Sequence, residues 1–427
     1  MRVLVVLPLY GGSLPVGRYC AAALAELGHQ VEVFEAPEFQ ASFHALRGLK
    51  VTADRLQYLE NSYLQLVSQA VLAKVETFEP DLVLALAQAP LSLQALKRLR
   101  RDGVATAMWF VEDFRLFTYW QGFAPFYDFF AVIQKGEFFE QLRNIGVDNT
   151  VYLPLAAQPN IHKPLELSPV EQRRFGSDVS FMGAGYPNRR MAFRDLVRFD
   201  FKLWGTEWEG DPILAPFVQM AGARVTSEDC VRIYNASKVN INLHSSVQAQ
   251  DLVTGGDFVN PRTFEVAACG GFQLVDRRGL MAELFETEGP QAELAVFDSM
   301  GELGARIDHF LAHPEERQAF AERGRARVLA EHTYAVRMRT LLEFIAARRP
   351  GWPKPRTAAP AADGLPPELA ADIGALLERL GLPADAAFED LVWAIRQQQG
   401  ALGEMDAAVL FLDEWRKLYA RKNGSVG

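Results

Sequence analysis

Short apolar runs alternate with amphipathic stretches along the first 300 residues, and glycines stand where one gives way to the other. This alternation constrains the fold more than any other feature. Residues 3–7 read as a strand, Gly11 and Gly12 follow, and residues 16–27 read as a helix closed by Gly28. Residues 31–34 are a second strand, and 43–78 carry helical periodicity with no internal proline. Residues 81–87, 105–110 and 129–133 are further apolar runs with helix-like segments between them. Strands alternating with helices predict a parallel sheet covered on both faces.

The same grammar restarts after a proline-punctuated stretch at 154–169. Residues 178–182 read as a strand running into Gly183-Ala184-Gly185, with a helix from about Arg189. Residues 201–204, 239–243, 272–275 and 294–297 are the next strands, and 263–268 a helix leading into Gly270-Gly271. The expected architecture is α/β: two Rossmann-like, doubly wound domains facing one cleft, followed by a helical extension. The domains are placed at 1–168, completed by a helix over 333–348, and at 169–332. Six prolines (350, 353, 355, 360, 366 and 367) mark a linker over 350–367. The tail, 368–427, has helical periodicity but is short for a core of its own, so it is expected to dock on the body or on a second copy.

At 427 residues the chain has length for two or three domains. Lys and Arg number 44 against 53 Asp and Glu, a net charge of −9. That balance argues against a binder of nucleic-acid polymers, whose affinity rests on neutralising phosphates. Cys20, Cys230 and Cys269 lie far apart and form no metal-ligand pair or disulfide framework, which points to a reducing cytoplasm. The seven histidines show no clustered ligand pattern, so no structural metal is expected. The apolar start is short and stopped by Pro8, a buried strand rather than a signal peptide. No uncharged apolar run has the length of a membrane span.

The richest segment is residues 238–276. A strand ends at His244-Ser245, a polar loop follows, and Asn260-Pro261-Arg262-Thr263 opens a helix. Pro suits the first helical turn, and the free N–H groups there attract phosphate. Glu265 is expected in that first turn, placed to accept hydrogen bonds from sugar hydroxyls.

This segment resembles the donor-binding region of GT-B glycosyltransferases, and most of all the spore-maturation CgeB-like group. Retaining GT-B families carry two glutamates with seven residues between them; here the pair is Asp257 and Glu265. The resemblance implies that Glu265 holds the nucleotide ribose, and that Arg189 or Arg190, after the Gly183 turn, grips the diphosphate. Further segments agree in order: Leu203-Trp-Gly205-Thr-Glu-Trp208, Tyr152-Leu-Pro-Leu155 and His332-Thr-Tyr334. The resemblance runs from residue 1 to about 348.

Acids beyond strand ends face the cleft of such sheets. Asp113, after the 105–110 strand, is therefore the expected general base, with Glu112 its substitute. Gly11 and Gly12 would border the reaction centre. The resulting expectation is metal-independent transfer from a nucleoside-diphosphate sugar, most simply a UDP-sugar, to a hydroxyl on a surface glycan or a protein such as flagellin. Donor contacts are expected from Gly11, Gly12, Gly183, Arg189, Arg190, Trp208, His244, Ser245, Asp257, Asn260, Arg262, Thr263 and Glu265. Two rivals share the features: a nucleotide-sugar epimerase of the same fold, and a non-catalytic scaffold acting through its tail. An NAD enzyme is weaker, since no G-x-G-x-x-G follows a strand.

Overall fold

The computed structural model describes residues 1–248, 253, 256–354 and 359–423. Parts of the 246–259 loop and of the proline-rich linker, including Pro355, lie outside the described residues. The chain divides into two compact units, residues 1–350 and 351–427.

The first unit contains two parallel sheets. Six strands form the first: β1 (Arg2–Val6), β2 (Gln30–Phe34), β3 (Leu82–Leu86), β4 (Ala105–Phe110), β5 (Phe129–Val132) and β6 (Thr150–Tyr152), in the order β2-β1-β3-β4-β5-β6. Five form the second: β7 (Val179–Met182), β8 (Phe201–Trp204), β9 (Val239–Asn242), β10 (Gln273–Asp276) and β11 (Ala295–Phe297), in the order β11-β10-β9-β7-β8. Every residue of β1, β3, β4 and β5 is buried, as are those of β7, β9 and β10. The edge strands β2 and β6 are only partly so. Interior strands covered on both faces must be apolar throughout, which is why their sequence reads as runs rather than alternation.

Each sheet reverses its strand order once, between β1 and β3 in the first and between β7 and β9 in the second. Ligands of open α/β sheets bind in the crevice outside the strand ends at these reversals. Gly11 and Gly12 follow β1, Gly183 follows β7 and His244 follows β9, so the motifs stand at both switch points. The helix Ser13–Glu26 approaches β1 closely at Gly17, where a Cβ would lie 2.3 Å from the Leu7 side chain. The helical pattern of 43–78 resolves into two helices, Gln40–Arg47 and Ala53–Phe78, because Gly48 closes the first.

The chain passes between the halves twice at one place. Ala157 exchanges backbone hydrogen bonds with His332 and Tyr334, at 3.0 Å each. Buried Arg337 donates to the carbonyls of Pro154, Leu155 and Glu331. The Tyr334–Arg348 helix then packs on Ser13–Glu26, with Tyr19 and Tyr334 rings 5.3 Å apart.

Among its described residues the second unit holds three helices, Pro367–Arg379, Phe388–Gln397 and Glu404–Asn423. Ile373, Leu376, Leu377, Leu391, Val392, Ile395 and Val409 form a core of their own. The tail thus builds an internal core that its length did not promise. Among the described residues no helix is long and apolar enough to cross a membrane.

Candidate functional site

The second sheet's switch point is built on tight glycine turns. Gly183 adopts φ 153° and accepts the Trp208 indole N–H at 3.0 Å. A Cβ on Gly183 would fall 3.2 Å from Nη2 of Arg262, so that guanidinium lies against the turn. Gly185 is equally confined, since a Cβ there would meet the Glu207 carbonyl oxygen at 2.2 Å.

Arg189 is buried beside it. Its Nε donates to the Leu243 carbonyl at 2.9 Å and Nη1 to that of Ala184 at 3.0 Å. Burial, and then the neighbouring Arg262 charge, push the Arg189 pKa down to about 9. Among the described residues Arg189 and Arg262 make no ion pair, and Arg262 makes no hydrogen bond. Asp276 and Glu207 act on Arg189 only at a distance, and burial and the Arg262 charge outweigh them, so an anion bound against the two cations relieves their repulsion. Arg190 plays a different part: its guanidinium donates to the carbonyls of Gly185, Glu207 and Glu209, fastening the loop after β8. The cationic pair is therefore Arg189 with Arg262, not Arg189 with Arg190.

A buried polar network fixes the helix beyond. Asn260 caps Pro261–Ala268, its Oδ1 accepting from the Thr263 N–H at 3.3 Å. Its own N–H donates to His244 Nε2 at 2.9 Å, and its side-chain amide to Asn242 Oδ1 at 2.7 Å. His244 Nδ1 lies 2.6 Å from Asp276 Oδ1. With Nε2 accepting, the proton sits on Nδ1. Burial pushes the His244 pKa down to about 4, so the ring is neutral. Burial works against the Asp276 charge but is outweighed by the His244 donors and Arg278, which hold its carboxyl below the usual range.

His244 and Thr263 are buried, with their polar atoms committed to this network, and Trp208 is packed in the core. These three support the site from behind rather than line it. Ser245 sits at the partly exposed edge.

Glu265 lies one turn further into the helix than expected, because Pro261 is the first helical residue. Its carboxylate accepts from Tyr234 OH at 3.3 Å and stands 4.0 Å from His162 Nε2. His162 Nδ1 accepts from the Gln158 N–H, so Nε2 carries the proton. Burial lowers the His162 pKa, keeping it neutral, with Glu265 opposing. Burial and the Glu265 charge push the Cys230 thiol up to about 12 and raise the Tyr19 and Tyr234 hydroxyls. The carboxylate thus has neutral neighbours in Tyr234 and His162, a setting that favours hydroxyl ligands.

Opposite, the first sheet offers Gly11, whose φ of 108° suits glycine and whose carbonyl accepts from Arg224 Nη2 at 3.0 Å. Gly12 precedes the Ser13–Glu26 helix, and a Cβ there would meet open space. Asp113 is half-buried; its Oδ1 accepts from the Arg115 N–H at 2.9 Å, and Gln134 Nε2 lies 3.4 Å from Oδ2. Gln134 also donates to Asp257 Oδ1 at 2.9 Å, and Arg115 stands 3.6 Å from it. Asp257 is therefore tied to the first half rather than to the Arg189–Arg262 pair. Glu112 turns away from Asp113. It accepts from Gln88 and, at 2.8 Å, from Tyr119 OH, and burial raises its pKa against those donors. Gln88 and Tyr119 line a cavity of about 540 Å³ with Leu64, Leu91, Met108 and Phe123.

Gln134, Arg278 and Tyr19 carry no local motif, whereas His162 opens the His162-Lys-Pro164 segment whose order resembles the interdomain entry of the GT-B group. Gln134 and Arg278 do stand two residues beyond the ends of β5 and β10, the position that marks cleft residues. Among the described residues one group can offer three metal ligands: His309, His313 and Glu316, on the helices after β11. His309 and His313 stand four residues apart in the sequence. The cluster is largely exposed, with His309 Nε2 2.9 Å from Glu316.

Comparison with known proteins bears on this geometry. Residues 189–343 match the family described as Glycosyl transferase-like. The spore protein CgeB of Bacillus subtilis (strain 168) is 24% identical, the match covering 58% of this chain and 78% of CgeB. Among solved structures, Anabaena Alr3699/HepE in complex with UDP and glucose superposes with a TM-score of 0.55 at 12% identity, covering 81% of this chain and all of that one. Sucrose-phosphate synthase from Thermosynechococcus elongatus gives 0.53 at 14% identity, covering 82% and 99%. Residues 189–343 take in Arg189, Arg262 and Glu265 together. The chain thus has the GT-B fold of these structures, and its residues 189–343 are glycosyltransferase-like in sequence and similar to CgeB.

Proposed function

We propose that the protein transfers a sugar from a nucleoside-diphosphate donor, a UDP-sugar, to a hydroxyl acceptor. The observation that carries this reading is the Arg189–Arg262 pair against the Gly183 turn, beside the Asn260-capped helix. The pair and the helix N-terminus meet the diphosphate and neutralise the charge that develops as it leaves, without a metal ion. Glu265 accepts from ribose hydroxyls. The UDP bound by Anabaena HepE, which shares the fold, supports uridine as the base.

The acceptor enters from the first half, beside Gly11 and Gly12. Asp113 takes its proton, because the long 3.4 Å contact leaves Oδ2 the less committed carboxylate oxygen, whereas both Glu112 oxygens are held. The acceptor class we propose is a surface glycan or surface protein such as flagellin, as the sequence resemblance implies. The three cysteines are free thiols, which supports a reducing, cytoplasmic setting.

A thermal-shift screen of nucleoside diphosphates and nucleotide sugars tests the donor. UDP should raise the melting temperature of the wild type and not of Glu265→Ala. Equal shifts in both proteins would remove Glu265 from the site. Turnover that survives a chelator is expected, and a complete, metal-rescued loss would overturn the metal-free reading. Isomerisation of the donor sugar without an acceptor would favour the epimerase.

A further inference from the structure

The Glu404–Asn423 helix directs two of its carboxylates, Asp406 and Asp413, inward and its aromatic rings outward. Asp406 and Asp413 are 2% and 1% exposed. Asp406 is held by Arg379, and Asp413 by Arg396, Arg416 and Lys417 at 2.9–3.2 Å. Met405, Val409 and Leu410 on the same side complete the unit's core. On the other side Phe411 is 68% exposed, and Leu412, Trp415, Leu418 and Tyr419 are each at least half exposed. Side chains three and four apart share a helix face, so these five form one continuous stripe. An exposed apolar patch of this kind marks an interaction surface.

The stripe is nearly palindromic. Counted from Trp415, leucines stand three residues before and after it, and aromatics four before and after. A two-fold interface requires that if one residue meets another, the second meets the first in return. An antiparallel pair centred on Trp415 meets that condition: Phe411 faces the partner's Tyr419, and Leu412 faces the partner's Leu418. Three aromatics and two leucines so exposed offer roughly 500 Å² per copy, so a pair buries about 1,000 Å², the lower bound for a specific interface. We propose that this face is a homodimer interface in which two copies of the chain pair antiparallel through their Glu404–Asn423 helices, with Trp415 on the axis.

Light scattering of the full chain, from about 1 to about 100 µM, tests the proposal. The mass should move from 47.6 kDa toward twice that value. Trp415→Glu with Leu412→Glu should stay monomeric throughout with unchanged helical circular dichroism. A second readout does not depend on that variant folding. Under mild oxidation Trp415→Cys should cross-link to itself, whereas Phe411→Cys should cross-link only when mixed with Tyr419→Cys. A wild type that is monomeric at the highest concentration overturns the proposal. So does a dimer that survives the double glutamate variant, or self-cross-linking of Phe411→Cys, which reports parallel pairing.

Discussion

The two halves of the cleft differ in how their polar groups are held. In the second half Asn242, His244, Asn260, Thr263, Gln273 and Asp276 are buried and bonded to one another. In the first half Gly11 and Gly12 border open space, and Asp113 has one firm hydrogen bond, from the Arg115 N–H, and one long one, from Gln134. A rigid, buried network holds the Pro261–Ala268 helix and its cap in one geometry, which suits a ligand of fixed shape such as a nucleotide. A sparsely bonded rim suits an acceptor whose shape is not set by the fold. The first half instead binds across the gap, through Gln134 and Arg115 to Asp257 and through Lys135 to Glu283.

Substitutions on each side should separate these roles. Asp276→Ala leaves Arg278 buried beside a neutral His244 and should cost about 3–5 kcal/mol of stability, read by urea unfolding. Asp113→Ala on the rim should cost under about 1 kcal/mol. Equal costs would erase the contrast. Asp113→Asn should cut kcat by about 10²-fold or more while UDP affinity holds, and full turnover would exclude it as the base.

Acidification should act on the buried network before the rim. Burial holds His244 and His332 at about 4 against an ordinary 6.5. Between those values the unfolded chain binds more protons than the folded one. Stability is therefore full above pH 6.5 and declines toward pH 4, by on the order of 3 kcal/mol per histidine. Asp276 adds a further loss only below its ordinary 3.8. Unfolding curves that are flat from pH 7 to 4.5 would contradict this. A small effect is also expected for Gly11→Ala, where the new Cβ meets no atom but the residue must adopt φ 108°, at about 1 kcal/mol by urea unfolding.

Much of the fold is legible in the sequence because strands buried on both faces read as apolar runs and turns read as glycines. The site is legible where backbone geometry is local: Asn260 and Pro261 announce the helix start and Gly183 the tight turn. Partners chosen by tertiary packing are less so. Nothing local tells that Arg190 fastens carbonyls while Arg262, far along the chain, comes to lie beside Arg189. Trp208 goes to the core because its indole N–H meets the Gly183 carbonyl there. Gln134 and Arg278 carry no motif and become visible only when the strand ends are lined up across the cleft. The tail's core was hidden by its length, and its outward stripe by the usual assumption that helix charges face water.

Calorimetric titration of UDP into the wild type and Arg262→Ala tests the central claim most directly. Wild-type binding should weaken by at least about tenfold in the variant, with stability unchanged or improved, because removing one of two like charges relieves Arg189. Equal affinity in the two proteins, or no binding to the wild type, would contradict the placement of the donor diphosphate on the Arg189–Arg262 pair.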